Sequence, residues 1–79
     1  MKFVEAGELV NLFDEGILAG VTAARYPMGT GWMLIFKGDR EQYALRTQRS
    51  KMAREFKTLD AAQQAADQIG FKSMRISWA

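Results

Sequence analysis

Residues that could perform acid–base or nucleophilic chemistry are few in this chain. It contains no His and no Cys, the side chains on which such chemistry often depends. The close carboxylate pairs are Asp14 with Glu15, at the predicted end of a helix, and Asp39 with Glu41, around a glycine turn. Charges at such positions are commonly solvated. We therefore predict no catalytic residue and expect the protein not to be an enzyme.

The sequence also contains no convincing metal-binding or phosphate-binding motif. Without His or Cys, only an oxygen-ligated calcium or magnesium site could form, and the sequence has no D-x-D-x-D loop. Gly29-Thr30-Gly31 is rich in glycine like a phosphate-binding loop, but such loops lead into a helix, whereas here a strand is predicted to follow. We expect no metal and no cofactor, and interpret these glycines as a hairpin turn.

Basic residues are concentrated in the middle of the chain. Residues 37–57 hold seven cations against three carboxylates, seven minus three or +4, in a chain whose total is +2. Spacings of two or three residues place several of them on one exposed edge, suited to nucleic acid or an acidic protein. The alternative explanation is that they discourage aggregation at an edge strand. The predicted binding residues are Lys37, Arg40, Arg46, Arg49, Lys51, Arg54 and Lys57.

Acidic residues and tryptophans define a second candidate surface. Residues 1–24 hold one Lys against four carboxylates, one minus four or −3, and such a segment could imitate phosphate. Exposed tryptophan is enriched at interfaces, although core packing is the alternative for both tryptophans here. The alternative protein-binding residues are Glu5, Glu8, Asp14, Glu15, Trp32 and Trp78. Bases of single-stranded nucleic acid could stack on aromatic residues near the basic stretch, namely Tyr26, Trp32, Tyr43 and Phe56.

Hydrophobic periodicity indicates the elements that position these residues. Leu9, Leu12 and Phe13 share one stripe of a helix over residues 5–15, with Gly16 as its cap. Residues 17–26 favour a strand that ends before Pro27. The apolar run 32–36 is typical of a central strand and forms a β-hairpin with the residues up to 47. Residues 48–55 are either an exposed loop or a short edge strand.

The carboxyl-terminal part predicts a helix followed by a strand. Thr58 or Asp60 caps the helix, its buried face is formed by Ala62, Ala65, Ala66 and Ile69, and Gly70 follows its end. In the closing strand Met74, Ile76 and Trp78 are predicted to point inward. The expected fold is α+β in the order α-β-β-β-(β)-α-β, a single domain over residues 1–79. It has an antiparallel sheet of three to five strands, with two helices packed on one face.

Composition favours a folded cytoplasmic protein. The apolar fraction is 48% and the charged fraction 25%, a globular balance. The longest apolar run, residues 32–36, is far shorter than the roughly 20 residues of a membrane span, and the first residues do not form a signal peptide. The absence of cysteine agrees with a reducing compartment. We expect no membrane association.

A resemblance adds a biological context. Trp32, Leu34, Phe36, Gly38, Leu45, Arg49, the run 54–62 and Gly70 together cover about half of the chain. In these residues it resembles small partition-associated proteins of the ParC type, carried by plasmids and integrative elements. Ser50 stands where that pattern has a glycine. The resemblance implies an accessory role in the maintenance or transfer of mobile DNA and carries over no catalytic residue.

Two functional hypotheses follow. The first is a non-enzymatic binding protein of a mobile genetic element that contacts nucleic acid or a nucleoprotein complex through its basic surface. The alternative is a phage- or plasmid-encoded inhibitor, similar to anti-CRISPR proteins, that binds a host protein complex and blocks its working surface. A homodimer, in which the acidic helix meets the basic edge of another copy, is compatible with either hypothesis.

Overall fold

The computed structural model describes residues 1–78, which form a five-stranded sheet and two helices. The predicted α+β class is confirmed. In chain order the elements are β1 (Lys2–Val4), α1 (Ala6–Asp14), β2 (Gly20–Arg25), β3 (Trp32–Lys37), β4 (Gln42–Leu45), α2 (Leu59–Ile69) and β5 (Arg75–Ser77).

The strand order across the sheet is β1-β4-β3-β2-β5, so the apolar β3 is central as predicted. The two hairpin pairs, β2 with β3 and β3 with β4, are antiparallel. Both edge strands are parallel to their neighbours, β1 to β4 and β5 to β2. The prediction of an antiparallel sheet is therefore wrong, and the sheet is mixed. The physical reason is that several elements, including a helix, separate each edge strand from its neighbour along the chain, and such a long connection allows parallel pairing.

The core lies on one face of the sheet. The paired residues Ala23 and Leu34 are almost fully buried there, as is Phe36. Leu9 from α1 and Ala62 from α2 belong to the same cluster of buried side chains. Both helices thus pack on the same side, as the sequence predicts.

The ends of the helices are formed by the residues expected from the sequence. The side-chain oxygen of Thr58 accepts a hydrogen bond from the backbone N–H of Ala61 at 3.1 Å and caps α2. Gly16 and Gly70 follow the two helices with φ angles of 77° and 136°, which other residues rarely adopt. At Gly70 the chain also passes against the ring of Phe13, which leaves no room for a side chain.

The closing strand is only partly as predicted. Met74 packs against the core, but Ile76 is 44% exposed and Trp78 is 71% exposed. The prediction that both point into a covered interior is wrong. The register places Ile76 beside Ala23, on the helix side of the sheet. Because α2 packs over β2 and β3, the outer strand β5 extends beyond the covered area.

Neither helix within residues 1–78 is long and apolar enough to cross a membrane.

Candidate nucleic-acid interface

A loop between β4 and α2, residues 46–57, carries five of the predicted cations and is called the basic loop below. Arg46 forms an isolated antiparallel bridge with Ala53, and Phe56 forms another with Trp32. The stretch 48–55 is thus a loop that folds back on itself, with Arg49 and Lys51 at its tip. The net charge of the basic loop, residues 46–57, is five minus one, or +4.

The returning part of the basic loop is fixed to the neighbouring strands and turn. The hydroxyl of Tyr26 donates to the backbone carbonyl of Ala53 at 3.0 Å. A carboxylate oxygen of Glu55 accepts from the backbone N–H of Gly31 at 2.8 Å. A Cβ atom at Gly31 would collide with the carbonyl oxygen of Phe56 and with Glu55. The glycine predicted to form a hairpin turn is therefore needed for the close approach of the loop.

Arg46 connects the basic loop to the start of α1. Its guanidinium donates to a carboxylate oxygen of Glu5 at 3.2 Å. It also donates to the backbone carbonyls of Thr47, at 3.2 Å, and Ser50, at 3.4 Å. Since these contacts occupy much of its donor capacity, Arg46 holds the shape of the loop and has less capacity for a ligand.

The remaining cations of the loop are exposed. The guanidinium of Arg54 lies over the ring of Phe56, 4.8 Å from its centroid. Lys57 is 3.5 Å from Glu55, but its side chain is 80% exposed. Arg49 and Lys51 form no ion pair with any other residue of the described chain. The two tip residues are the most available to an anion.

A groove of about 580 Å³ lies between the basic loop and the start of α1. Arg46, Arg49 and Arg54 line it from the loop, and Gly7 lines it from the helix. A Cβ atom at Gly7 would have no neighbour within 4 Å, so the backbone of the first helical turn is accessible. First-turn N–H groups have no partner inside a helix and carry partial positive charge. Glu5 also lines the groove, where its carboxylate is paired with Arg46 and its carbonyl accepts from the N–H of Glu8. Arg49 and Arg54 are therefore the groove cations that can meet an anion.

Lys37 and Arg40 lie away from the basic loop. Lys37 pairs with Gln42 at the start of β4, and Arg40 is in the adjacent turn, whereas the loop begins after the end of β4. Arg46 follows Gln42 by four residue steps along the strand, roughly 13 Å at the usual rise. Near Arg40, the backbone N–H of Gln42 and the amino group of Met1 hold the pKa of Glu41 below its ordinary value of 4.5. The seven predicted cations thus do not form one patch.

Arg25 is a cation near the site that the sequence analysis missed. It ends β2 directly opposite Trp32, and its guanidinium lies 5.3 Å from the centroid of the Trp32 ring. Trp32 in turn is bridged to Phe56 of the basic loop. The available signal was that Arg25 and Trp32 lie on either side of the predicted turn at residues 27–31. Antiparallel strands joined by this turn bring the two residues opposite each other.

The aromatic residues offer little free surface for base stacking. Phe56 is buried, and Tyr26, Trp32 and Tyr43 are half-buried. Arginine side chains already lie over the rings of Phe56 and Trp32. The site thus presents charges more than stacking platforms.

The acidic residues are spread along α1. Glu5 is paired with Arg46, while Glu8, Asp14 and Glu15 are exposed. Trp78 is exposed and lies near the far edge of the sheet, on the other side from β1. The predicted alternative protein-binding residues therefore do not share one surface. Among residues 1–78, no group of three or more carboxylates is close enough together to hold a metal ion.

Comparison with known proteins gives no match, whether with family models, with curated proteins or with solved structures. The likeness to ParC-type proteins stays a prediction from the residues quoted above.

Proposed function

We propose that this protein is a non-enzymatic nucleic-acid-binding protein that contacts the phosphate backbone through its basic loop. The observation that carries the proposal is the charge of this anchored segment, +4 over residues 46–57, with Arg49 and Lys51 at its tip and in no ion pair among residues 1–78. Its internal carboxylate, Glu55, is engaged by Gly31 and Lys57. Arg46 and Lys57 are in ion pairs with Glu5 and Glu55, so the loop presents Arg49, Lys51 and Arg54 as its unpaired cations within residues 1–78.

The chemistry of this binding is electrostatic. Each Lys or Arg that meets a phosphate releases condensed counterions, so the affinity falls steeply with salt and depends little on base sequence. Half-buried and arginine-covered aromatic rings support contact with phosphates rather than stacking with bases. Duplex and single-stranded DNA are expected to bind with similar affinity.

The biological context of the proposal is an accessory role in the maintenance or transfer of mobile DNA, as the ParC-type resemblance implies. The inhibitor hypothesis has less support, because Glu5 is paired with Arg46 and the other carboxylates are distributed along α1. If nucleic acid does not bind, the next experiment is to search for a host protein that binds this chain.

The test is fluorescence anisotropy with labelled random duplex and single-stranded DNA at low salt. The double variant Arg49→Glu/Lys51→Glu reverses the two charges at the tip and should weaken binding about tenfold or more, since two phosphate contacts become repulsive. Both residues are exposed, so the fold should be unaffected.

The matched control is Lys37→Glu/Arg40→Glu, which makes the same change in net charge at the opposite end of the sheet. We expect it to weaken binding by no more than about threefold, through long-range electrostatics alone. Equal losses in the two double variants would contradict a localised site, and no binding by the wild type would reject the function.

A further inference from the structure

The strand β5 forms an outer edge of the sheet with a free side. It pairs with β2 on one side, and it is the last strand in the sheet order. All three of its residues are exposed. A free edge presents backbone N–H and C=O groups that can pair with another extended chain.

A groove accompanies this edge on the helix side of the sheet. The groove measures about 540 Å³ and runs between α2 and β5. The lining is mixed: Ala66, Phe71, Met74 and Ile76 are its apolar residues, and polar side chains of α2 and of the turn before β5 complete it. Trp78 follows the last residue of β5, and this large apolar side chain is 71% exposed. An extended chain on β5 could thus bury apolar side chains on this side.

The opposite side of the same edge is basic. Arg75 pairs with Thr22, so its side chain points to the face of the sheet that has no helices. It lines a second groove, of about 690 Å³, together with Lys37. No carboxylate is among the residues that line this second groove. On the helix side, Asp67 and Lys72 both line the first groove and lie 3.8 Å apart.

From this combination we propose that β5 is a docking edge for an extended segment of a protein partner in which acidic and apolar side chains alternate. The segment adds to the sheet as a sixth strand. Because side chains of a strand point alternately to opposite faces, its apolar residues lie beside Ile76 and Trp78 and its acidic residues beside Arg75. This surface is separate from the basic loop, and the proposal does not depend on nucleic-acid binding.

A second copy of the chain fits the edge less well. If two β5 strands paired antiparallel about Ile76, the two Arg75 side chains would lie on the same face as diagonal neighbours, about 8 Å apart. Charged residues on an edge strand are a common device against such self-pairing. The charge at Arg75 therefore favours an acidic partner.

The test uses two synthetic hexapeptides, one of alternating Glu and Val and one of alternating Lys and Val, titrated into the ¹⁵N-labelled protein. We expect the Glu–Val peptide to shift the amide resonances of residues 72–78 and of the groove side of α2, and the Lys–Val peptide to bind at least about tenfold more weakly. Trp78→Ala should weaken the Glu–Val peptide about tenfold, through lost apolar contact.

Charge reversal makes the test specific. Arg75→Glu should weaken the Glu–Val peptide about tenfold and strengthen the Lys–Val peptide, while Arg49→Glu, in the basic loop, should change neither by more than about twofold. The proposal is overturned if the two peptides bind equally, or if neither shifts β5 in the millimolar range. Concentration-dependent self-association through β5, abolished by Trp78→Ala, would also overturn it.

Discussion

At the scale of single residues, the cations of the basic loop differ in what they contact. Arg46 is held by Glu5 and by two backbone carbonyls, so part of its charge is used within the protein. Arg49 and Lys51 lie at the tip without an ion pair in the described chain, and Arg54 lies over Phe56 while remaining exposed. Arg46 therefore determines the shape of the loop, and the other three provide its contact surface.

The substitution Glu5→Gln tests whether Arg46 shapes the loop while the other cations form the contact surface. The change removes a negative charge beside the basic loop and frees the guanidinium of Arg46, so affinity for DNA should rise about two- to threefold. The free energy of unfolding should fall by no more than about 1 kcal/mol, because the ion pair is partly exposed. Fluorescence anisotropy and urea denaturation measure the two effects.

The matched control is Glu8→Gln in the first turn of α1, which removes one charge and breaks no ion pair within the described residues 1–78. Its effect on affinity should be smaller than that of Glu5→Gln. A lower affinity in Glu5→Gln would mean that Glu5 has to hold Arg46 in its binding position, in conflict with the role given to it here.

At the scale of elements, the packing of the two helices depends on the turn at Gly70. This residue has a φ of 136°, and a Cβ atom there would lie 2.5 Å from Cε1 of Phe13 in α1. The ring of Phe13 is also in edge contact with Phe71, with centroids 4.9 Å apart. The end of α2 and the face of α1 are thus fitted to a residue without a side chain.

Gly70→Ala should lower the free energy of unfolding by about 3 kcal/mol, because a backbone penalty adds to overpacking against Phe13. Gly16→Ala is the control: its φ is also positive, at 77°, but a Cβ atom there would meet nothing within 4 Å. It should cost about 1 kcal/mol. If urea denaturation gave the same loss of unfolding free energy for both variants, the contact with Phe13 would not contribute to the effect of Gly70→Ala.

The sequence predicts elements well where a periodic pattern is long or a cap is present. The hairpin of β3 and β4 and the helix α2, with Thr58 and Gly70 at its ends, were predicted for these reasons. The strand β1 has three residues, too few to display a period of two. The exposure of Ile76 could not be predicted, because it depends on how far α2 extends across the sheet.

At the scale of the whole molecule, the two helices start at the same end of the sheet. α1 follows β1, whose last residue Val4 pairs with Leu45, and α2 follows Phe56, which is bridged to Trp32. Residues at this end also include the basic loop. The partial positive charges of two helix starts lie at this end, and the first-turn carboxylates of Glu8 and Asp60 offset them.

The charge of the molecule is distributed accordingly. The end with the basic loop has six cations, the five of the loop and Arg25. It has four carboxylates, Glu5, Glu8, Glu55 and Asp60, giving six minus four, or +2. The rest of the chain has five cations and five carboxylates and is neutral. The sequence predicted an uneven charge, but it could not separate Lys37 and Arg40 from the loop, because that separation depends on the direction of β4.

The salt dependence of DNA binding tests the central claim most directly. The dissociation constant of the wild type for random duplex DNA would be measured over a series of salt concentrations, beside Arg49→Glu/Lys51→Glu. If the basic loop meets three or four phosphates, the logarithm of the affinity falls against the logarithm of the salt concentration with a slope of about −3. In the variant the magnitude of this slope should decrease by about 2. A wild type that does not bind, or a slope that is the same in both proteins, would contradict the account.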